Sequence, residues 1–237
     1  RDSRSLLKLT IISGLNRTRE IMDNLAARQQ MVDQQIRTWE VLDPRVLDVF
    51  SMVPREAFVP PEYRELAFAD AAIPIGQGQS MLAPKIQGRI LQALSVAPTD
   101  SVLEIGSGTG YLAACLSLLA ATTRSLEIHA DLTALARSNL RAVPEARVDF
   151  ETRDAFAAAP LGEFDAIAVT GSLPVYDSRF ERSLRVGGRL FAIVGEAPVM
   201  DAILVRRVDS AEWIRESLFE TVVEPLLNAA AAQRFVF

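Results

Sequence analysis

The spacing of apolar positions changes partway along the chain. Over 23–38 they are sparse, with Leu25, Met31, Val32 and Ile36 at helical intervals in a polar segment, which predicts a helix with a narrow buried face. Asp43-Pro44 predicts the next helix start, with Asp as N-cap and Pro at the first helical position. Val46, Leu47, Val49 and Phe50 supply that helix's apolar side, and Pro54, Pro60 and Pro61 mark a loop beyond it. Residues 66–84 (LAFADAAIPIGQGQSMLAP) carry Pro74, Gly76, Gly78 and Pro84 and read as an irregular surface segment, a type that often carries function. Ile86, Ile90, Leu91 and Leu94 then return to helical spacing.

After Pro98 the pattern alternates. Short apolar runs at 101–105, 124–128, 148–151, 164–169 and 189–194 read as strands, and helical patterns fall at 111–121, 132–143 and 178–185. Strands and helices alternating at this spacing imply βαβ units and a parallel sheet. The last two candidate strands, 202–208 and 216–223, have no helix between them and predict a hairpin, hence an antiparallel edge. The expectation is an α/β protein with a mostly parallel seven-stranded sheet. Its domain would span 99–237, preceded by a helical and loop region at 22–98. The leading helix and the 55–84 loop are expected to form a lid or substrate wall over the sheet.

Of the 237 residues, 49% are apolar, enough for a sizeable core. A net charge of −5 argues against a broad phosphate-binding face and hence against a nucleic-acid partner. No apolar run reaches the ~18 residues of a membrane span. Cys115 is the single cysteine and His129 the single histidine. An internal disulfide is therefore excluded, a reducing, cytoplasmic compartment fits, and no metal site is expected. Cys115 reads as core and His129 as the edge of a pocket. Residues 1–21 are basic around a short apolar stretch at 6–12. They read either as an upstream extension before a natural start at Met22 or as an amphipathic targeting segment.

The strongest chemical signal is VLEIGSGTGYLAACL, where a strand ends at Ile105, Gly106, Gly108 and Gly110 follow, and a helix begins at once. Glycines allow a tight turn with a ligand pressed against the backbone, and the helix start adds unpaired N–H donors. A nicotinamide or flavin site wants G-x-G-x-x-G, but Tyr111 stands where that pattern needs its last glycine. Glu127 and Asp154 close the next two strands, so with Glu104 three acids reach one crevice at the carboxyl ends of the sheet.

The string E-I-G-S-G-T-G resembles motif I of class I S-adenosylmethionine-dependent methyltransferases, which implies their Rossmann-like fold. More particularly, the chain resembles the protein-L-isoaspartate O-methyltransferase family over about 31–227. The blocks carrying this are MVDQQIRTWEVLDPRVLDVF, VPREAFVP, AFADAAIPIGQGQSMLAP, VLEIGSGTGYLAACL, FDAIAVTGSLP, LRVGGRLFAIVG and VEPLL. The resemblance implies S-adenosyl-L-methionine as methyl donor and an isoaspartyl-containing protein or peptide as acceptor, its ester collapsing to a succinimide that reopens partly to aspartate. Glu104, Gly106, Ser107, Gly108 and Gly110 would then hold the methionine end. Glu127 and Ile128 would hold the ribose, and Asp154, Ala155 and Thr170 the rest of the nucleoside pocket. Ser80 and Leu82 would stand at the reacting carboxylate. Two departures matter: where the family reads GQ-T-I-S, this chain has Ser80-Met81-Leu82, losing the second hydroxyl, and a G-D-G becomes Arg153-Asp154-Ala155. Lys85 and Arg89 would either pair with an anionic substrate or be ordinary solvated charges. The N/D-P-P-F/Y string of nucleic-acid amino-methyltransferases is absent from Thr170-Gly171-Ser172-Leu173-Pro174. A small-molecule methyltransferase and a non-catalytic S-adenosylmethionine-binding module remain as alternatives.

Overall fold

The computed structural model describes residues 19 and 21–231. The reading of 1–21 falls almost wholly outside them. Seven strands form one sheet: β3 (Ser101–Ile105), β4 (Thr122–Glu127), β5 (Asp149–Thr152), β6 (Phe164–Leu173), β7 (Leu184–Glu196), β8 (Val199–Asp209) and β9 (Glu212–Thr221), in the order β5-β4-β3-β6-β7-β8-β9. The first five of that order are parallel. β7, β8 and β9 form an antiparallel meander at one edge, as two strands with no helix between them require. The chain leaves β3 toward β4 on one side and returns to β6 on the other. The switch point between β3 and β6 therefore opens a crevice at their carboxyl ends.

Alternation along each strand sorts side chains to two faces. Val102, Ala166, Ala168, Phe191 and Ile193 face one cluster, while Leu103, Ile105, Ile167, Val169, Leu190 and Ala192 face another. The first face is covered by the helix at 21–31, α2 (Pro44–Met52), α3 (Pro84–Leu94) and α4 (Tyr111–Leu119), through Met31, Phe50, Ile90 and Leu116. Residues before 98 thus share one core with the sheet. Buried on nearly every side, α4 is apolar but for the Tyr111 and Ser117 hydroxyls and carries no polar stripe. Asp43 caps α2 by accepting from the Arg45 backbone N–H at 2.9 Å. Cys115 lies within α4, and burial pushes its thiol up to about 12, so it is inert core.

Several elements depart from the sequence reading. The first helix passes at Val32–Ile36 into a wide π turn and then a 3-10 turn at Arg37–Trp39. The segment expected to be irregular holds a small hairpin, β1 (Ile73–Gly76) and β2 (Gln79–Met81). β6 runs on to Leu173, where after a register shift Ser172 and Leu173 pair with Ile193 and Val194 of β7; on its other side residues 224–226 add a bridge, Ser172 N–H donating to Glu224 O and Leu226 N–H to Ser172 O, both at 2.9 Å. The helix read as 178–185 is α6 (Ser178–Arg182), and it stops early because Leu184 already pairs with Phe164 in the sheet.

α5 (Ala130–Asn139) crosses the start of α4 at Gly110. There φ is +86°, and a Cβ would lie 2.9 Å from the Ala136 Cβ. Gly110→Ala therefore meets both a backbone penalty and a steric one, and should destabilise by about 1–3 kcal/mol. Urea unfolding checks this; an unchanged midpoint would mean that α4 and α5 are not held at this spacing.

Candidate active site

The sheet's switch point supplies one cavity. Its floor is the turn after β3, where the N–H groups of Gly106 and Ser107 both donate to Leu126 O, at 2.8 and 3.3 Å. That pair draws the turn onto β4 and brings the ends of β3 and β4 together. Gly106 has φ +94°, and a Cβ there would lie 2.5 Å from Thr170 Oγ1. Only glycine fits this bend, as motif I anticipated. The Thr170 hydroxyl donates to the Ile105 and Gly106 carbonyls, each at 2.9 Å, and so fastens the turn to β6.

The three acids arrive at this cavity in different states. Glu104 is buried, with Ser125 donating its hydroxyl to one carboxylate oxygen and Ser107 bonded to Ser125 in turn. Desolvation dominates, only partly opposed by the Ser125 hydrogen bond, and raises the Glu104 carboxyl to about 8. Glu127 accepts from Gly108 N–H at 2.9 Å on one oxygen and from His129 N–H at 3.1 Å on the other. Asp154 accepts from Phe156 N–H at 2.8 Å and from Asn228 Nδ2 at 2.9 Å. Each of these four oxygens keeps a lone pair for a ligand. Glu104, Gly106, Ser107, Gly108, Glu127, Ile128, Asp154, Ala155 and Thr170 all line the cavity. Gly110 does not. It sits behind the turn against α5, so its glycine serves helix packing and not ligand contact.

The opposite wall comes from the β1–β2 hairpin and the C-terminal segment. Ile75, Gln79, Ser80, Met81 and Leu82 line it, and Gln77 at the hairpin tip donates to Asp131 at the start of α5, 2.7 Å away. The loop part of the expected wall is therefore in place. The leading helix is not part of it: Arg28 bonds Glu56 at 2.6 Å and Ser51 O at 3.1 Å, away from the cavity. Lys85 and Arg89 also lie outside. Lys85 pairs with Asp70 at 2.7 Å and lies over the Trp39 ring, and Arg89 pairs with Glu40 at 3.1 Å and lies over the Phe219 ring, so both are largely covered, paired charges outside the cavity.

Three residues that the sequence reading did not assign belong to the site. Glu224 lines the cavity and accepts the Ser80 hydroxyl at 2.7 Å. Arg55 is wholly buried and donates to Ala67 O and Leu82 O, both at 2.8 Å, and to Gln87, a lining residue. It fixes the backbone of the loop from beneath. Arg55 and Glu224 fall in the VPREAFVP and VEPLL blocks, but nothing local gives them a place in the site, because their partners are up to 144 positions away. Of the buried side-chain polar atoms with no hydrogen-bond partner among the described residues, two belong to residues that line the cavity, the Tyr111 hydroxyl and His129 Nε2. An enclosed, acid-rimmed cleft with orphaned polar atoms and a glycine floor fits a nucleoside carrying cationic groups.

Comparison with known proteins agrees. Residues 26–230 match the sequence model of the family described as Protein-L-isoaspartate(D-aspartate) O-methyltransferase. A protein-L-isoaspartate O-methyltransferase of Koribacter versatilis is 37% identical over 202 residues, covering 85% of this chain and 90% of that protein. One from Rhodopseudomonas palustris is 37% identical over 209 residues, covering 86% and 94%. Among solved structures, a Plasmodium falciparum chain described as a beta-aspartate methyltransferase, in complex with S-adenosyl-L-homocysteine, superposes with a TM-score of 0.75 at 20% identity, covering 84% of this chain and 97% of its own. At that identity the likeness shows the fold.

The raised Glu104 carboxyl has a pH signature. Between the ordinary carboxyl range and about 8 the folded protein holds a proton that the unfolded chain has lost. Folding stability due to this group is thus full at low pH and falls as pH rises, by roughly 1.4 kcal/mol per unit at its steepest. Urea unfolding from pH 5 to 8.5 should show this slope in the ligand-free wild type and lose it in Glu104→Gln. Equal slopes in the two proteins would show that Glu104 is ionised when folded.

Proposed function

We propose that this chain, which belongs to the protein-L-isoaspartate(D-aspartate) O-methyltransferase family, transfers a methyl group from S-adenosyl-L-methionine to the free carboxylate of isoaspartyl residues in proteins. One observation carries this reading: the loop residues Ser80 and Leu82 line the same cavity as the Gly106–Gly108 turn and the three acids. Donor and acceptor can therefore meet in one enclosed space.

The bound donor supplies an activated methyl on a sulfonium, which departs as a neutral thioether when a carboxylate oxygen attacks the methyl carbon. The acceptor is already ionised near neutral pH and needs no general base. What remains for the protein is alignment, which can be worth ~7–11 kcal/mol. The Gly106 and Gly108 backbone would lie against the methionine portion, and Glu104 would receive its ammonium, a neighbour that favours the ionised carboxylate. The free lone pairs of Glu127 would accept the ribose hydroxyls, with Ile128 beside them, and Asp154 and Ala155 would meet the adenine. Arg55, through the Leu82 carbonyl, holds the acceptor loop in register with the turn.

Leu82 is the observation that favours the second reading, an acceptor other than the isoaspartyl carboxylate. Its apolar side chain, 7% exposed, occupies wall that would otherwise offer a hydroxyl.

Two measurements test these assignments. Glu127→Ala should weaken S-adenosylmethionine binding by about 10- to 100-fold in calorimetry, the loss of one or two hydrogen bonds to a charged acceptor; unchanged affinity would remove Glu127 from the ribose site. Labelled methyl should pass to an isoaspartyl peptide and not to its aspartyl control, with Leu82→Ser raising kcat/KM by about tenfold through a restored donor. Absence of transfer by both proteins, with cofactor binding intact, would overturn the isoaspartyl assignment and leave the cofactor site standing.

A further inference from the structure

At the acceptor side of the cavity, apart from the Gln79 amide, the polar groups are acceptors without a cation among them. Ser80 spends its hydroxyl proton on Glu224, at 2.7 Å, so toward the cavity it offers only lone pairs. Glu224 itself is half-buried and forms no ion pair among the described residues. Its place is fixed by the backbone: Ser172 N–H donates to Glu224 O at 2.9 Å, and Leu226, two residues on, lies over the turn, its Cδ2 3.8 Å from where a Gly106 Cβ would be. Leu82 gives no donor. Arg153, the one guanidinium lining the cavity, is turned to the carbonyls of Ala159 and Pro160. Beside the neutral Gln79 amide, the acceptor side therefore presents a carboxylate and a hydroxyl oxygen, and no free cation, to a substrate whose reacting group is itself an anion.

We propose that Glu224, with Ser80, is a specificity-determining pair that selects isoaspartyl substrates carrying a cation beside the reacting carboxylate, foremost peptides whose isoaspartyl residue is the first, with a free α-ammonium. This rests on the isoaspartyl reading of the site. In an isoaspartyl residue the chain continues through the side-chain carboxyl, leaving the α-carboxylate free. At the N-terminus the α-ammonium sits on the same carbon as that carboxylate, so both can be engaged at once. The ammonium donates to Glu224 and the Ser80 oxygen, cancelling the repulsion that Glu224 exerts on a bare anion. The carboxylate oxygen then faces the methyl group. An internal isoaspartyl residue, or one with a blocked amine, leaves Glu224 unpaired against the incoming charge.

The test is a pair of peptides, identical but for N-acetylation of a leading isoaspartyl residue, assayed with wild type and Glu224→Gln. Acetylation removes the cation and leaves the reacting carboxylate untouched. Wild type should favour the free amine by about tenfold or more in kcat/KM, and Glu224→Gln should bring the ratio to within about twofold, chiefly by improving the acetylated peptide. Calorimetry of both peptides against S-adenosylhomocysteine-loaded protein reads the same preference without turnover, and it separates the two readings. A binding preference that Glu224→Gln abolishes, without methyl transfer, supports the cation site while overturning the isoaspartyl reaction. Equal handling of the two peptides by wild type, or a preference that survives Glu224→Gln, overturns the proposal.

Discussion

Two backbone N–H groups, those of Gly106 and Ser107, donate to a single carbonyl, that of Leu126. This forked contact folds the end of β3 onto β4, and the candidate site depends on it. It sets the turn close enough to the sheet that Glu104 is sealed from water. It also brings Gly108 N–H to the Glu127 carboxylate, so the acid at the end of the second strand is tied to the turn at the end of the first. Thr170 closes the arrangement from the β6 side. A side chain at Gly106 would strike that threonine before it met any ligand.

On this frame the cavity is electrostatically graded. One acid is buried and driven toward its neutral form by desolvation. Glu127 and Asp154 are held in place by backbone and side-chain donors, with lone pairs to spare. The fourth, Glu224, is fixed by its backbone, and its carboxylate accepts only a serine hydroxyl among the described residues. A ligand with an ammonium and a sulfonium meets complementary charge along this cleft, whereas a carboxylate acceptor entering the same space does not. Donor and acceptor thus make opposite demands on one pocket. The acceptor side, where Leu82 and Glu224 sit, is where the proposed selectivity would be set.

The acceptor wall also has the least local support. The β1–β2 hairpin has two short strands and cannot stand alone. It is held by Arg55 beneath it, by Gln77 reaching Asp131, and by Ser80 reaching Glu224. Arg55 is a buried cation without a carboxylate partner among the described residues, satisfied by carbonyl oxygens and Gln87 and lying over the Tyr111 ring. Such an arrangement tolerates little rearrangement, which suits a loop that must keep an acceptor in line with a donor.

Strand alternation, the glycine string and the acids at strand ends were legible in the sequence because each is a local pattern. β3, its turn and α4 are contiguous, so the glycine spacing marked the turn and the resemblance to motif I assigned Gly106, Gly108 and Glu104 to it, and the missing helix before β9 announced the antiparallel meander. Other features depended on contacts between distant segments. β6 lengthens because its end pairs with Ile193 and Val194 of β7, residues 224–226 bridge to it from the far end of the chain, and Gly110 lies against Ala136 of α5. Glu224 joins Ser80 across 144 positions, and Arg55 holds a loop that begins well downstream of it. A one-dimensional pattern records what a residue does to its own turn or strand. Only the folded chain decides which charges share a cavity, because Coulomb and hydrogen-bond partners are chosen by distance in space.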